Sequence, residues 1–344
     1  MAQTMKAAVF EKPNVITIKQ VPVPQVDDNE VLIKVKYTGI CGTDWSIFTG
    51  KYSADKLPLI PGHEFSGHIV EVGRDVKGFE TGELVAIPPL IACHVCDQCQ
   101  RGQFSRCRDY DYFGSRRDGA YAELVAVPAG NLLKTPAGLD PAAVAMVDPA
   151  SIALHAIWKA GGVVMGRRCG VVGCGPIGLF AIQWMKLSGA GDVVAVDTEE
   201  RKLALAREAG ATHTSLATDP IDKALDCDLV LEVVGHPSSI NRAILSAGPG
   251  GRVVFIGIPA GGIALDGPAY QHLLRQEVVM CGSWNSFGAP FPGAQWTVTL
   301  DKLGSGALRW KFIVSHDLDL AELPRMFQAF KDRSLFYSKV LFRP

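Results

Sequence analysis

The chain has 344 residues, 48% hydrophobic and 20% charged, which is the composition of a globular protein and the length of about two domains. Its 34 Lys and Arg residues against 35 Asp and Glu leave a formal charge of -1, so it carries no electrostatic footprint for nucleic acid or an anionic membrane. No membrane span is expected, because Asp148, His155 and Lys159 interrupt the most apolar stretch, 142–165, and no export signal stands at the start.

Residues 1–140 read as short strands and turns. Val31, Ile33, Val35 and Tyr37 alternate with Lys34 and Lys36, the period of a half-buried strand, and similar runs recur at 67–72, 83–87 and 121–127. The chemistry lies in the connections. GICGTD (39–44) and PGHEFSG (61–67) supply Cys41 and His63, a candidate pair for a catalytic zinc, which needs about three protein ligands and one exchangeable position. Glu64 adjoins as a third ligand or a charge-tuning neighbour, and Asp44 is placed to hold the second nitrogen of His63.

Next come Cys93, Cys96, Cys99 and Cys107, spaced C-x2-C-x2-C-x7-C. Such spacing aims four thiolates at one point and fits a closed, structural zinc site, with an iron–sulfur cluster and disulfides as rivals. His94 is then a spare. Nine cysteines in a chain this long point to metal before a disulfide scaffold, and to the cytoplasm. Arg101, Arg106, Arg108, Arg116 and Arg117 bracket this lobe; they suit a phosphate grip or, with Asp109, Asp111 and Asp118 interleaved, a solvated face. Trp45, Phe48, Tyr52, Trp284 and Phe287 are aromatic candidates for a substrate wall or for core.

Near residue 149 the texture changes to apolar strands alternating with amphipathic helices, the pattern of a doubly wound parallel sheet. Gly173, Gly175 and Gly178, with Pro176 and Ile177 between the last two, form G-x-G-x-x-G between a predicted strand and helix. A second strand ends at Asp197, about 20 residues further on. This is the dinucleotide fingerprint, with Asp197 placed to accept the ribose hydroxyls and so to favour NAD over NADP; Arg201 and Lys202 follow it. The expected domains are 1–150 completed by 285–344, and 151–284.

In combination CGTD, PGHEFSG, the four-cysteine lobe, DGAYAE, VVGCGPIGL with Asp197, and GGRVVFIG resemble the zinc-dependent medium-chain alcohol/polyol dehydrogenases over essentially the whole chain. GSRRDGAYAE and GSWNSFGAPFPGAQW look most like the galactitol-1-phosphate and sorbitol dehydrogenase branch. The resemblance implies an α/β protein, a β-rich GroES-like catalytic domain plus a Rossmann domain, holding two zinc ions and NAD and forming a homodimer or homotetramer. It implies Cys41 and His63 as ligands, with Glu64 ligating or just outside. Asp148 stands in a D-P-x-x-x-x-x-H-A segment where relatives place Glu, ligating directly or through water. Thr43 would take the alcohol proton, while Ser46 stands where liver-type relatives continue the relay with His. The expected reaction moves hydride between a polyol hydroxyl, free or phosphorylated, and NAD. Threonine-type oxidation and a non-catalytic NAD-binding protein are the alternatives.

Overall fold

The computed structural model describes residues 3–162, 164–220, 225–259 and 261–344. It divides into two compact units: Met1–Asp148 with Phe287–Ser305 and Val314–Pro344, and Pro149–Ser286 with Gly306–Ile313. The sequence reading runs the tail through the first domain unbroken; in the structure Gly306–Ile313 groups with the second unit.

The first unit is built on a seven-stranded sheet whose main path runs Val314–Asp319, Lys339–Arg343, Glu30–Gly39, Glu64–Val72, Leu84–Ala86 and Leu133–Lys134, with Leu124–Pro128 paired to Glu30–Gly39 off that path. Alternation at Val31, Ile33 and Val35 turns these side chains into a core shared with Phe65, Ile69 and Val85. A second core gathers Phe10, Phe48 and Phe327, whose ring centroids lie 5.1 to 6.0 Å apart. Trp45 packs on this cluster, so Trp45 and Phe48 are core groups; Phe287 is likewise buried, stacked on Trp296.

The second unit is a six-stranded, wholly parallel sheet. Its order is His213–Leu216, Asp192–Asp197, Arg168–Val172, Cys227–Glu232, Ala247–Phe255, Val279–Gly282, or 3-2-1-4-5-6 in chain rank, as in dinucleotide-binding sheets. The central strands are apolar because helices cover them; Val171, Val194, Val230 and Val253 are almost fully buried.

By length and composition the stretch Pro141–Lys159 could cross a membrane despite Asp148, His155 and Lys159, but 78% of its apolar 18-residue window is buried within the protein, where it serves as core. Within it the helix Val147–Lys159 carries Asp148 in its first turn.

Candidate functional site

Strand register brings the two ligand loops together. Glu30–Gly39 pairs antiparallel with Glu64–Val72 so that Gly39 lies opposite Glu64, which sets Cys41 beside His63. Cys41 caps the helix Gly42–Phe48. Its N–H donates to Asp44 Oδ2 at 2.8 Å while the Asp44 N–H donates to the Cys41 carbonyl at 3.1 Å, a reciprocal turn that fixes the thiol at the helix start. Ligand atoms of Cys41, His63 and Glu64 all lie within 4.8 Å of one another. His63 Nδ1 faces Asp44 Oδ1 at 3.7 Å, an electrostatic contact too long for a hydrogen bond. Thr43 Oγ1 stands 3.8 Å from Cys41 Sγ, whereas the Ser46 hydroxyl donates into its own helix, to the Gly42 carbonyl at 3.2 Å.

Asp148 lies outside the 4.8 Å set. Its charge is nevertheless felt by Cys41 and Tyr112, and burial pushes its carboxyl up to about 6 against the opposing pull of His63. Burial, then Asp44, push the Cys41 thiol up.

Two groups here carried no signal in the sequence. Lys339 opens the strand Lys339–Arg343, which pairs with Glu30–Gly39, and its ammonium donates to Glu64 Oε2 and to the Ile40 carbonyl. It is 1% exposed, and burial lowers it to about 8 although Cys41 and Asp44 pull the other way. Tyr112 sets its ring edge-on to the His63 imidazole, centroids 5.7 Å apart, and also meets the Tyr110 ring edge-on at 6.3 Å. Tyr110 and Tyr52 line a cleft of about 730 Å³ whose walls also carry Ser53, Lys56, Asp109 and Arg116.

Of the arginines, Arg108 is paired with Asp97 at 2.5 Å, and Arg117 lies 3.8 Å from both Glu30 and Asp111. Arg116 caps the Tyr110 ring at 3.7 Å and donates to the Tyr110 carbonyl.

The four-cysteine lobe closes on itself. Sulfur separations are 3.4 Å for Cys93–Cys107, 3.9 Å for Cys93–Cys99 and 4.0 Å for Cys96–Cys107, and all four ligand atoms lie within 4.8 Å. A tetrahedron with Zn–S bonds of about 2.3 Å requires sulfurs about 3.8 Å apart. A disulfide needs about 2.05 Å, and none of these cysteines is bridged. Backbone N–H groups of Arg108 and Cys99 lower the Cys96 thiol to about 6, which prepares a thiolate. His94 stands outside, against Phe104 and Phe291.

In the second unit the three glycines differ in what they do. Gly173 has φ +103, and Gly178 would bring a Cβ within 2.0 Å of the Gly173 carbonyl oxygen. Around Gly175, the N-cap of the helix Pro176–Leu187, there is open space on the side a Cβ would fill. The turn, the helix packing and an open face for an anion at the helix start are thus all present. Pro176 takes the first helical position, followed by Ile177. Asp197 Oδ2 accepts the Cys174 N–H at 2.7 Å and Oδ1 the Glu199 N–H at 3.1 Å, so the carboxylate is fastened to the glycine turn itself. Arg201 and Lys202 sit on the following helix, Lys202 with its ammonium 3.6 Å from Glu199.

Residues 27–137 match the model of an alcohol dehydrogenase GroES-like domain, and residues 176–297 that of a zinc-binding dehydrogenase. An L-threonine 3-dehydrogenase of Bacillus velezensis is 33% identical over 341 residues, covering 95% of this chain and 96% of its own. The chain belongs to the zinc-binding alcohol/polyol dehydrogenase family. Among solved structures of that family, galactitol-1-phosphate dehydrogenase from Escherichia coli is similar with a TM-score of 0.92 and 30% identity, covering 99% of this chain and 100% of that one. An E. coli structure described as a short chain alcohol dehydrogenase complexed with NADH is similar at a TM-score of 0.89 and 28% identity, covering 100% of each.

A family zinc ion fits the residues present. The buried Lys339 ammonium pairs with Glu64 and is acted on by Cys41 and Asp44; burial disfavours the charged forms of Cys41 and Asp148, so ionising them here calls for a further cation. His63 Nδ1, buried and without a hydrogen-bond partner among the described residues, is turned to Asp44, which leaves Nε2 available to a metal ion.

Proposed function

We propose that this dehydrogenase oxidises a secondary hydroxyl of a polyol or sugar alcohol with NAD, giving the ketose, and runs the reverse reduction through the same groups. The convergence of Cys41, His63 and Glu64 within 4.8 Å carries this reading. A non-catalytic nucleotide-binding protein has no need of such a set. Zinc bound there supplies Lewis acidity that lowers the pKa of a substrate hydroxyl, and the nicotinamide supplies the hydride acceptor. Cys41 and His63 hold the ion, Glu64 is restrained by Lys339, and Asp148 adds negative charge beside them. The Thr43 hydroxyl takes the alcohol proton. Ser46, engaged with Gly42, does not extend that route, so the proton leaves Thr43 to solvent.

The cleft beside Tyr110 supports a polyhydroxylated substrate, since its hydroxyl, carboxylate and guanidinium groups offer both donors and acceptors. Arg116 is the one arginine of the cluster that faces it, which keeps a phosphorylated substrate within the reading. Asp55, Asp109 and Asp111 also line it and would suit the ammonium of an amino alcohol, as in the threonine-oxidising relative.

The reading further includes a second, structural zinc in the four-cysteine lobe and NAD as the dinucleotide, because the Asp197 carboxylate repels a 2′-phosphate. It includes a homo-oligomer, supported by an exposed apolar sheet edge at Val279 and Met280, and a reducing compartment such as the cytoplasm, which suits nine free thiols. A screen of NADH formation over free and phosphorylated sugar alcohols, with and without a chelator, tests the proposal. Turnover of pentitols or hexitols that the chelator abolishes is expected; threonine outpacing all of them would overturn the substrate class.

A further inference from the structure

The DGAYAE segment takes no part in the mechanism above, yet it lies directly against the metal loops. Gly119 N–H donates to the Ile60 carbonyl at 2.6 Å, Tyr121 N–H to Pro61 at 2.9 Å and Ala120 N–H to Gly62 at 2.8 Å, so 119–121 run along the residues that lead into His63. The Tyr121 ring fills the space beside Gly62 so closely that a Cβ there would lie 2.7 Å from Cδ1. The ring is fully buried, and a phenol so placed needs a hydrogen-bond acceptor. Its hydroxyl donates to Asp44 Oδ2 at 2.8 Å; the Gly39 carbonyl, at 3.3 Å, is the more distant acceptor.

Asp44 is therefore a junction. One oxygen accepts both the Cys41 N–H and the Tyr121 hydroxyl, and the other faces His63 Nδ1. We propose that Tyr121 is a positioning residue of the metal centre, its hydroxyl holding the Asp44 carboxylate in the one orientation that orders the Cys41 turn and the His63 ring together. Without that donor the carboxylate keeps a single hydrogen bond through Oδ2 and can rotate away from the imidazole. The inference rests on Cys41 and His63 being metal ligands.

The test separates the ring from its hydroxyl. Tyr121→Phe keeps the packing on Gly62 and removes only the donor. The apoprotein is titrated with Co²⁺, whose visible bands report ligand geometry, and the four-cysteine lobe serves as internal control. Parent protein is expected to load two sites, of which Cys41→Ser loses one. In Tyr121→Phe, Co²⁺ affinity at the Cys41 site should fall roughly 10- to 100-fold with shifted bands, while the four-cysteine site is unchanged. Affinity and bands equal to the parent's would overturn the role of Tyr121. Parent protein loading cobalt only at the four cysteines would instead overturn the metal reading itself. If Tyr121→Phe does not fold, 4-fluorophenylalanine at 121, whose fluorine fills the space of the hydroxyl but cannot donate, replaces it. Unchanged affinity and bands with that residue likewise overturn the proposal.

Discussion

Cys41→Ser replaces a polarisable thiolate with a hydroxyl that binds zinc far less well, in a cluster where burial already disfavours charge. Turnover should fall below detection and zinc content should drop from two ions to one per chain, with dinucleotide binding retained. Metal analysis beside a cofactor titration checks this, and retained turnover removes Cys41 from the mechanism. Asp197→Ala should relax the preference for NAD over NADP by roughly 10- to 100-fold, the worth of one charged contact of about 1.5–3 kcal/mol. The ratio is the quantity to read, because losing the bond to the Cys174 N–H will also loosen the glycine turn for either cofactor. Both were legible as candidates because each holds a fixed place in a motif, Cys41 inside GICGTD and Asp197 at the end of the strand that follows the glycine turn. Lys339 was not. It stands 275 residues from Glu64, at the start of a strand whose other charge, Arg343, is exposed, and nothing local marks its side chain as inward-facing.

At the scale of elements, the glycine turn could be read in advance because its chemistry is local backbone geometry. The pairing of Glu30–Gly39 with both Glu64–Val72 and Lys339–Arg343 could not, since strand partners far apart in sequence leave no mark on either one. The helix Val147–Lys159 carries a consequence of its own. His155 is 8% exposed, and burial, then Lys159, lower its imidazole to about 4 from an ordinary 6.5. Above pH 6.5 both folded and unfolded forms are neutral and the helix keeps its full stability. As pH falls from there towards about 4 the unfolded chain binds a proton that the native helix refuses, so up to about 3 kcal/mol of stability is lost. His155→Gln should flatten the decline of the melting temperature between about pH 7 and about pH 5. A decline as steep as the parent's would show that other groups set it.

For the whole molecule, the parallel sheet ends at Val279–Gly282, where Val279 and Met280 are 46% and 41% exposed. An apolar edge with free backbone groups favours pairing with the same edge of a second copy. Light scattering should find an oligomer for the parent and a smaller species for Met280→Lys; a monomeric parent would remove that assembly.

The first unit draws on three separate stretches of chain, whereas most of the second comes from one. During translation, Pro149–Ser286 can therefore compact while the ribosome is still at work. Cys41, His63 and Glu64 must wait for the ammonium of Lys339. Nascent protein halted short of that lysine would carry every candidate zinc donor yet lack the counter-ion that restrains Glu64. Faithful metal loading is thereby tied to a strand translated after the whole of Pro149–Ser286.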